Sequence, residues 1–377
     1  MNILFFESSI DPYRGGIQRV TDLLYHYFER KEITCYFAYF LKDNEAIPQD
    51  RKLKVNLNEK RNSNCRKYIK YILDKKIDII INQDQYYDFV LDAYKYIRTN
   101  KICKIINCFH LSPNYFDYTS LPIKSRIKNF VYKIFLNRDI RYIRYKLMYN
   151  LCDKFVLLSS SFVDDICKIL NITEKQKFVH ISDPLSFIRK GKIDFDKKEK
   201  IVLIISRFCE AQKNLCAAMR IWKEVENKGT NGWKLILGGY GQDEKLITNY
   251  ILKLGLKEIE LIGKVDKSLT YYEKASIFMM TSNYEGFGMT LTEAIQNGCV
   301  PIAFDTYTAL HDIVSNMKDG IIITKGDENN YSNQLYRLMT DDNLRMSLAK
   351  EAVVKSEKFS IESIGNKWIT LFYSLIK

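Results

Sequence analysis

Short apolar runs rich in β-branched and aromatic residues alternate with helical patterns along the chain, and this alternation constrains the fold more than any other feature. In the first half the runs cover residues 3–6, 34–40, 77–81, 102–109 and 154–158. A second series covers 201–206, 233–237, 259–261, 277–280, 300–304 and 320–323. Strands separated by helices pair in parallel, because each crossover helix carries the chain back to the end of the sheet where the last strand began. At 377 residues the chain exceeds one ordinary core. The expectation is therefore an α/β protein with two doubly wound, Rossmann-like domains facing a cleft. The polar, Lys-rich stretch 189–200 lacks an apolar period and reads as a linker. That places the first domain at 1–188, the second at 198–357 and a closing helix at 358–377.

Hydrophobic residues make up 46% and charged residues 27%, and no apolar run is long enough to span a bilayer. Residues 1–6 have no basic lead and meet Glu7 at once, which reads as a first buried strand in place of a signal peptide and favours the cytoplasm. Nine cysteines lie scattered with no C-x-x-C and no zinc-type Cys/His spacing, as expected of reduced core thiols.

The net charge of +13 is uneven: residues 1–190 hold 33 Lys and Arg against 21 Asp and Glu, and the rest is nearly balanced. The densest part contains Lys124, Arg126, Lys128, Arg141, Arg144 and Lys146, interleaved with Ile127, Phe130, Ile134, Ile143 and Leu147 at helical intervals. Such a stretch suits an anionic membrane surface or a lipid-linked phosphate; it equally suits a core helix with a solvated basic face. No nucleic-acid-binding module accompanies it, and no nucleic-acid partner is expected.

In open parallel sheets ligands bind beyond the carboxyl ends of the strands, and the residues capable of chemistry fall there. After the run 277–280, Glu285-Gly-Phe-Gly-Met-Thr-Leu-Thr-Glu293 sets two carboxylates around a glycine turn and a helix start. Unpaired N–H groups at Gly286, Phe287, Gly288 and Met289 suit a phosphate, whereas an ionised Glu only accepts hydrogen bonds and suits hydroxyls. Phosphates flanked by hydroxyls describe a nucleotide sugar. Arg207 and Lys213 follow the run 201–206 and suit a diphosphate leaving group. A second glycine turn, Gly238-Gly-Tyr-Gly241, also closes a strand. Gly15-Gly16 follows the first strand and opens a helical pattern, which lets backbone N–H groups approach a ligand closely. His110 ends the run 102–109 and is expected at the cleft. Asp194-Phe-Asp196 copies a metal-binding Asp-x-Asp pattern but lies in the linker, where it reads as coincidence.

Taken together, these residues resemble the retaining glycosyltransferases of family 4, which have the two-domain GT-B fold. The resemblance spans nearly the whole chain and is strongest over 201–323, through Ser206-Arg207 with Lys213-Asn214, Gly238–Gly241, Gly263-Lys-Val265, the segment from Ser282 to Glu293, Gly298-Cys-Val-Pro301 and Asp319-Gly320. It implies that the second domain binds a nucleotide-sugar donor, UDP-linked in preference to GDP-linked, and that the basic first domain takes a glycan or lipid-linked acceptor. Arg207 and Lys213 would hold the diphosphate, Glu293 the ribose and Glu285 the donor sugar. His110 would approach the anomeric carbon and Gly16 the phosphate. Gly239, Tyr240, Val265 and Thr290 would complete the donor site. Transfer would proceed with retention, without an essential metal or other cofactor, at the inner face of the cytoplasmic membrane. Tyr240 and His311-Asp312 depart from the family pattern, which bears on donor identity. An epimerase or phosphorylase on the same architecture, or an inert nucleotide- or glycan-binding subunit, remain the alternatives.

Overall fold

The structure is a computed structural model that describes residues 1–83, 87–111, 113, 140–187 and 191–376. These residues form two compact units; the first runs to Ser186 and resumes at Ser360, and the second runs from Phe187 to Phe359. Both are doubly wound α/β sheets, and the molecule has the GT-B fold.

The first unit contains β1 (Asn2–Phe6), β2 (Thr34–Tyr39), β3 (Lys52–Lys54), β4 (Ile79–Asn82), β5 (Lys104–Phe109), β6 (Lys154–Leu157) and β7 (Phe178–His180). They pair in parallel in the order β3-β2-β1-β4-β5-β6-β7, so the winding reverses between β1 and β4. Central strands are apolar throughout because helices cover both faces: Ile3, Leu4, Phe5 and Phe6 have no exposed surface. The helix Ile361–Ile376 packs on the helix Gly16–Glu29, where the Tyr27 hydroxyl donates to Asn366 Oδ1 at 2.7 Å and Phe372 meets Phe28 edge-on. A Cβ at Gly365 would lie 2.2 Å from the Tyr27 ring, so only glycine allows this approach.

The second unit contains β8 (Glu199–Ile205), β9 (Lys234–Gly238), β10 (Ile259–Gly263), β11 (Ala275–Met280), β12 (Val300–Asp305) and β13 (Ile321–Thr324), in the parallel order β10-β9-β8-β11-β12-β13. Its core includes Trp222, Trp233, Ile277, Ile302 and Tyr331, all buried. The winding reverses between β8 and β11, where a doubly wound sheet opens a crevice.

Three details differ from the sequence expectation. The edge strands β3 and β7 have three residues each and carry too little pattern to be read. The stretch expected as a linker carries local structure among its described residues: Asp194 caps a short turn at Phe195–Lys197 by accepting from the Asp196 N–H, and Ile193 and Phe195 close against Gly298. In the helix Ile140–Leu151 the buried face is Tyr145, Met148 and Tyr149; Tyr145 meets Phe109, and Tyr149 meets Phe155 and Phe178. Ile143 and Leu147 stand exposed instead. Lys124, Arg126 and Lys128 lie outside the described residues, as does the side chain of Arg141. Arg144 pairs with Asp88 at 3.3 Å, and Lys146 donates to the Asn171 carbonyl at 3.1 Å.

All nine cysteines are free, and burial pushes the Cys103 and Cys152 thiols up to about 12, so they stay protonated.

Candidate active site

The second unit builds its site where β8 and β11 part. The loops that leave these two strands are tied together: the Asn283 N–H donates to the Gln212 carbonyl at 2.7 Å, the Asn283 side-chain amide to Ala211 at 3.1 Å, and the Thr281 hydroxyl to Lys213 at 3.1 Å. This brings Lys213, the last residue of the short helix Glu210–Lys213, onto Glu285 with Nζ to Oε1 at 2.6 Å. The side chains are 13% and 9% exposed, and the Ser282 hydroxyl donates to the same oxygen at 2.6 Å. The sequence reading gave the two residues separate ligands. The structure joins them, because neither charge is stable that deep without the other. Lys213 has three donors and spends one on Glu285. With Ser206, Thr281, Ser282 and Thr290 the pair lines a cavity at the strand ends.

Arg207 follows β8 on the exposed side; its guanidinium has a long 3.5 Å contact with Gln212 Oε1. The helix Met289–Gln296 starts at Gly288 with no side-chain cap and no acidic residue in its first turn, so its leading N–H groups and partial positive charge are open to an anion. Gly288 has φ of 101°, and a Cβ there would lie 2.7 Å from the Tyr307 hydroxyl. Gly286, Met289 and Thr290 are half-buried around this turn. Phe287 turns its ring inward onto Phe359, leaving only its backbone to face a ligand. Glu293 lies inside the helix at 3% exposure and accepts from the Tyr272 hydroxyl at 2.9 Å.

The glycine turn after β9 is explained by backbone contact. Gly239 has φ of 144°, and a Cβ there would sit 1.8 Å from the Ser206 carbonyl; one on Gly241 would sit 2.3 Å from the Phe208 carbonyl. The Phe208 N–H donates to Tyr240 at 2.8 Å, so the turn braces the loop that carries Arg207. Tyr240 itself is 57% exposed, and Val265 packs against Gly238.

In the first unit Gly15 is extended and Gly16 begins the helix Gly16–Glu29, again without a side-chain cap or an acid in its first turn. His110 follows β5, with Nε2 2.6 Å from Gln83 Oε1 at the end of β4 and Nδ1 3.8 Å from Asp183 after β7. Burial raises the Asp183 carboxyl to about 7.

Each unit thus gathers its candidates at the carboxyl edge of its own sheet. Sequence reasoning assigned no role of their own to Ser282, Tyr272, Gln83 and Asp183. Only Ser282 left a signal, a hydroxyl three residues before Glu285. The other three are brought in from separate strands and helices. Among the described residues no three His, Cys, Asp or Glu side chains converge as metal ligands.

A glycine turn, an uncapped helix start, two cations and two buried carboxylates gather at the switch point of the second sheet, the place where open α/β sheets bind ligands. The chain matches the family Glycosyl transferases group 1 over residues 187–354. It is 32% identical over 175 residues to the amylovoran biosynthesis glycosyltransferase AmsD of Erwinia amylovora, covering 46% of this chain and 48% of AmsD. It is 26% identical over 238 residues to a Campylobacter jejuni alpha-1,4-N-acetyl-D-galactosaminyltransferase named for a PP-undecaprenol glycan, covering 61% and 62% of the two chains. The matched region is thus about half to three fifths of these curated relatives. Among solved structures, the pneumococcal O-GlcNAc transferase GtfA in complex with UDP and GlcNAc superposes with a TM-score of 0.77 at 11% identity, over 100% of this chain and 99% of that one. Anabaena HepE in complex with UDP gives 0.75 at 14% identity over 100% of both chains.

Proposed function

We propose that this chain is a retaining glycosyltransferase that moves a sugar from a UDP-linked donor to a glycan or lipid-linked acceptor in cell-surface polysaccharide synthesis. It would work without an essential metal at the cytoplasmic face of the membrane. The observation that carries this reading is the β8/β11 crevice, where the Lys213–Glu285 pair, Arg207 and the open start of the helix Met289–Gln296 adjoin. Arg207 and the two remaining Lys213 donors meet the negative charge that develops on a departing diphosphate. Glu285 and Glu293 accept from sugar and ribose hydroxyls. The UDP in the solved complexes named above and the undecaprenol glycan of the Campylobacter relative support the donor and acceptor classes.

The test is thermal stabilisation against UDP, GDP, ADP and CMP sugars, with Glu293→Ala alongside. UDP-sugars are expected to raise the melting temperature of the parent and not of the variant. Stabilisation by no nucleotide would move the reading to an inert subunit. Turnover is expected to survive a chelator; a rate lost to chelator and restored by magnesium would overturn metal independence.

A further inference from the structure

We propose that Ser282 is a positioning residue for Glu285, and that the donor sugar is recognised through a single carboxylate oxygen. This deepens the transferase reading and rests on it. Ser282 Oγ and Lys213 Nζ both bond Glu285 Oε1, each at 2.6 Å. Oε2 has no hydrogen-bond partner among the described residues. A carboxylate held by one oxygen from two directions cannot turn about its terminal torsion without breaking both bonds, so the second oxygen is fixed in direction as well as free.

Ser282 is itself immobilised. It is 4% exposed, its carbonyl accepts from the Thr306 hydroxyl at 2.6 Å, and its neighbours Thr281 and Asn283 are tied to the loop that carries Lys213. A serine three residues before a glutamate commonly caps a helix through backbone N–H groups. Here residues 282–285 are not helical, and the two side chains bond each other. The consequence is chemical. Oε2 accepts one strong bond from one sugar hydroxyl, and Oε1 stays on Lys213, whose remaining N–H groups face the phosphate. Recognition of the sugar and neutralisation of the leaving group thereby share one ion pair, with Ser282 setting its geometry.

The experiment compares Ser282→Ala and Ser282→Thr with the parent. UDP binding is measured by calorimetry. Donor turnover is followed by UDP release from whichever of UDP-glucose, UDP-galactose, UDP-N-acetylglucosamine or UDP-N-acetylgalactosamine the parent uses best. Ser282→Ala is expected to bind UDP within twofold of the parent while kcat/KM for the UDP-sugar falls about 10- to 100-fold, the range for losing one bond to a charged group. Ser282→Thr, which keeps the hydroxyl, is expected to recover most of that loss. Parent turnover with unchanged constants in Ser282→Ala would overturn the assignment alone. UDP affinity and turnover falling together would overturn it in favour of a purely structural serine. A parent that neither binds UDP nor releases it from any sugar would overturn the transferase reading first, and this assignment with it.

Discussion

Arg207 and Lys213 both follow β8, yet they stand in different environments. Lys213 is held by a buried carboxylate, whereas Arg207 is exposed and barely engaged. Removing Arg207 is therefore expected to leave the fold nearly untouched and, on the proposed reading, to withdraw a cation that acts when charge builds on the leaving diphosphate. Arg207→Ala is expected to lower kcat about 10²- to 10³-fold with a melting temperature close to the parent's. Arg207→Lys should recover little, because a point charge does not reproduce a two-pronged grip. Steady-state kinetics beside a thermal melt decide this, and unchanged turnover would remove Arg207 from the site. Asp183 presents the opposite case, a carboxylate whose burial is a cost. Its folded value near 7 lies above its ordinary 3.8, so the fold favours the protonated form. That contribution is complete below about 4 and is lost as pH rises through about 7. Asp183→Asn should thus be near neutral at pH 4 and gain about 1–3 kcal/mol over the parent at pH 8, read from denaturant midpoints. Parallel pH dependence of the two proteins would show that Asp183 is not held neutral.

At the scale of elements, the glycine turn after β9 is a joint between two loops. Gly239 meets the Ser206 carbonyl so closely that any side chain must separate the turn from the Arg207 loop. Gly239→Ala is expected to cost about 3 kcal/mol or more. Gly255 also has positive φ but no atom near its Cβ position, and Gly255→Ala should cost about 1 kcal/mol from backbone strain alone. Equal urea midpoints for the two variants would dismiss the contact argument. This turn also marks the limit of what a sequence discloses. The paired α/β series was legible because central parallel strands are apolar on both faces, and the interior strands begin and end within about three residues of the apolar runs. Three-residue edges such as Lys52–Lys54 leave no such trace. A helix's period was legible but its phase was not: Ile143 and Leu147 lost the inner face to Tyr145 and Tyr149 because the aromatic rings of β5, β6 and β7 await them. In the site, the presence of Glu285, Arg207 and Lys213 at strand ends could be read. The Lys213–Glu285 bond could not, since it depends on tertiary hydrogen bonds between two loops about 70 residues apart.

At the scale of the whole molecule, nearly all of the +13 charge belongs to the first half, and no helix among the described residues is long and apolar enough to cross a membrane. Whether the proposed lipid-linked acceptor is met at a membrane surface is tested on the helix Ile140–Leu151, which carries basic and exposed apolar residues together. Arg144 and Lys146 have partners within the first unit, so reversing their charge would disturb folding and membrane affinity together. Ile143 and Leu147 are 39% and 36% exposed and lie one turn apart, off the buried face of the helix, so they are the apolar pair on which to test the membrane term. Ile143→Ser with Leu147→Ser should lower the melting temperature by only a few degrees, since each side chain is partly covered. Partitioning onto vesicles rich in phosphatidylglycerol is expected to weaken about 10- to 30-fold, because each chain withdraws about 1 kcal/mol of apolar burial. Raising salt from 0.15 M to 1 M should release the parent, since the basic surface acts over a screening length that shrinks from about 8 Å to about 3 Å. Salt release with no effect of the double substitution would mean that charge alone attaches the protein and that the exposed pair is solvated surface. Co-sedimentation unaffected by either change would exclude this helix from the membrane contact.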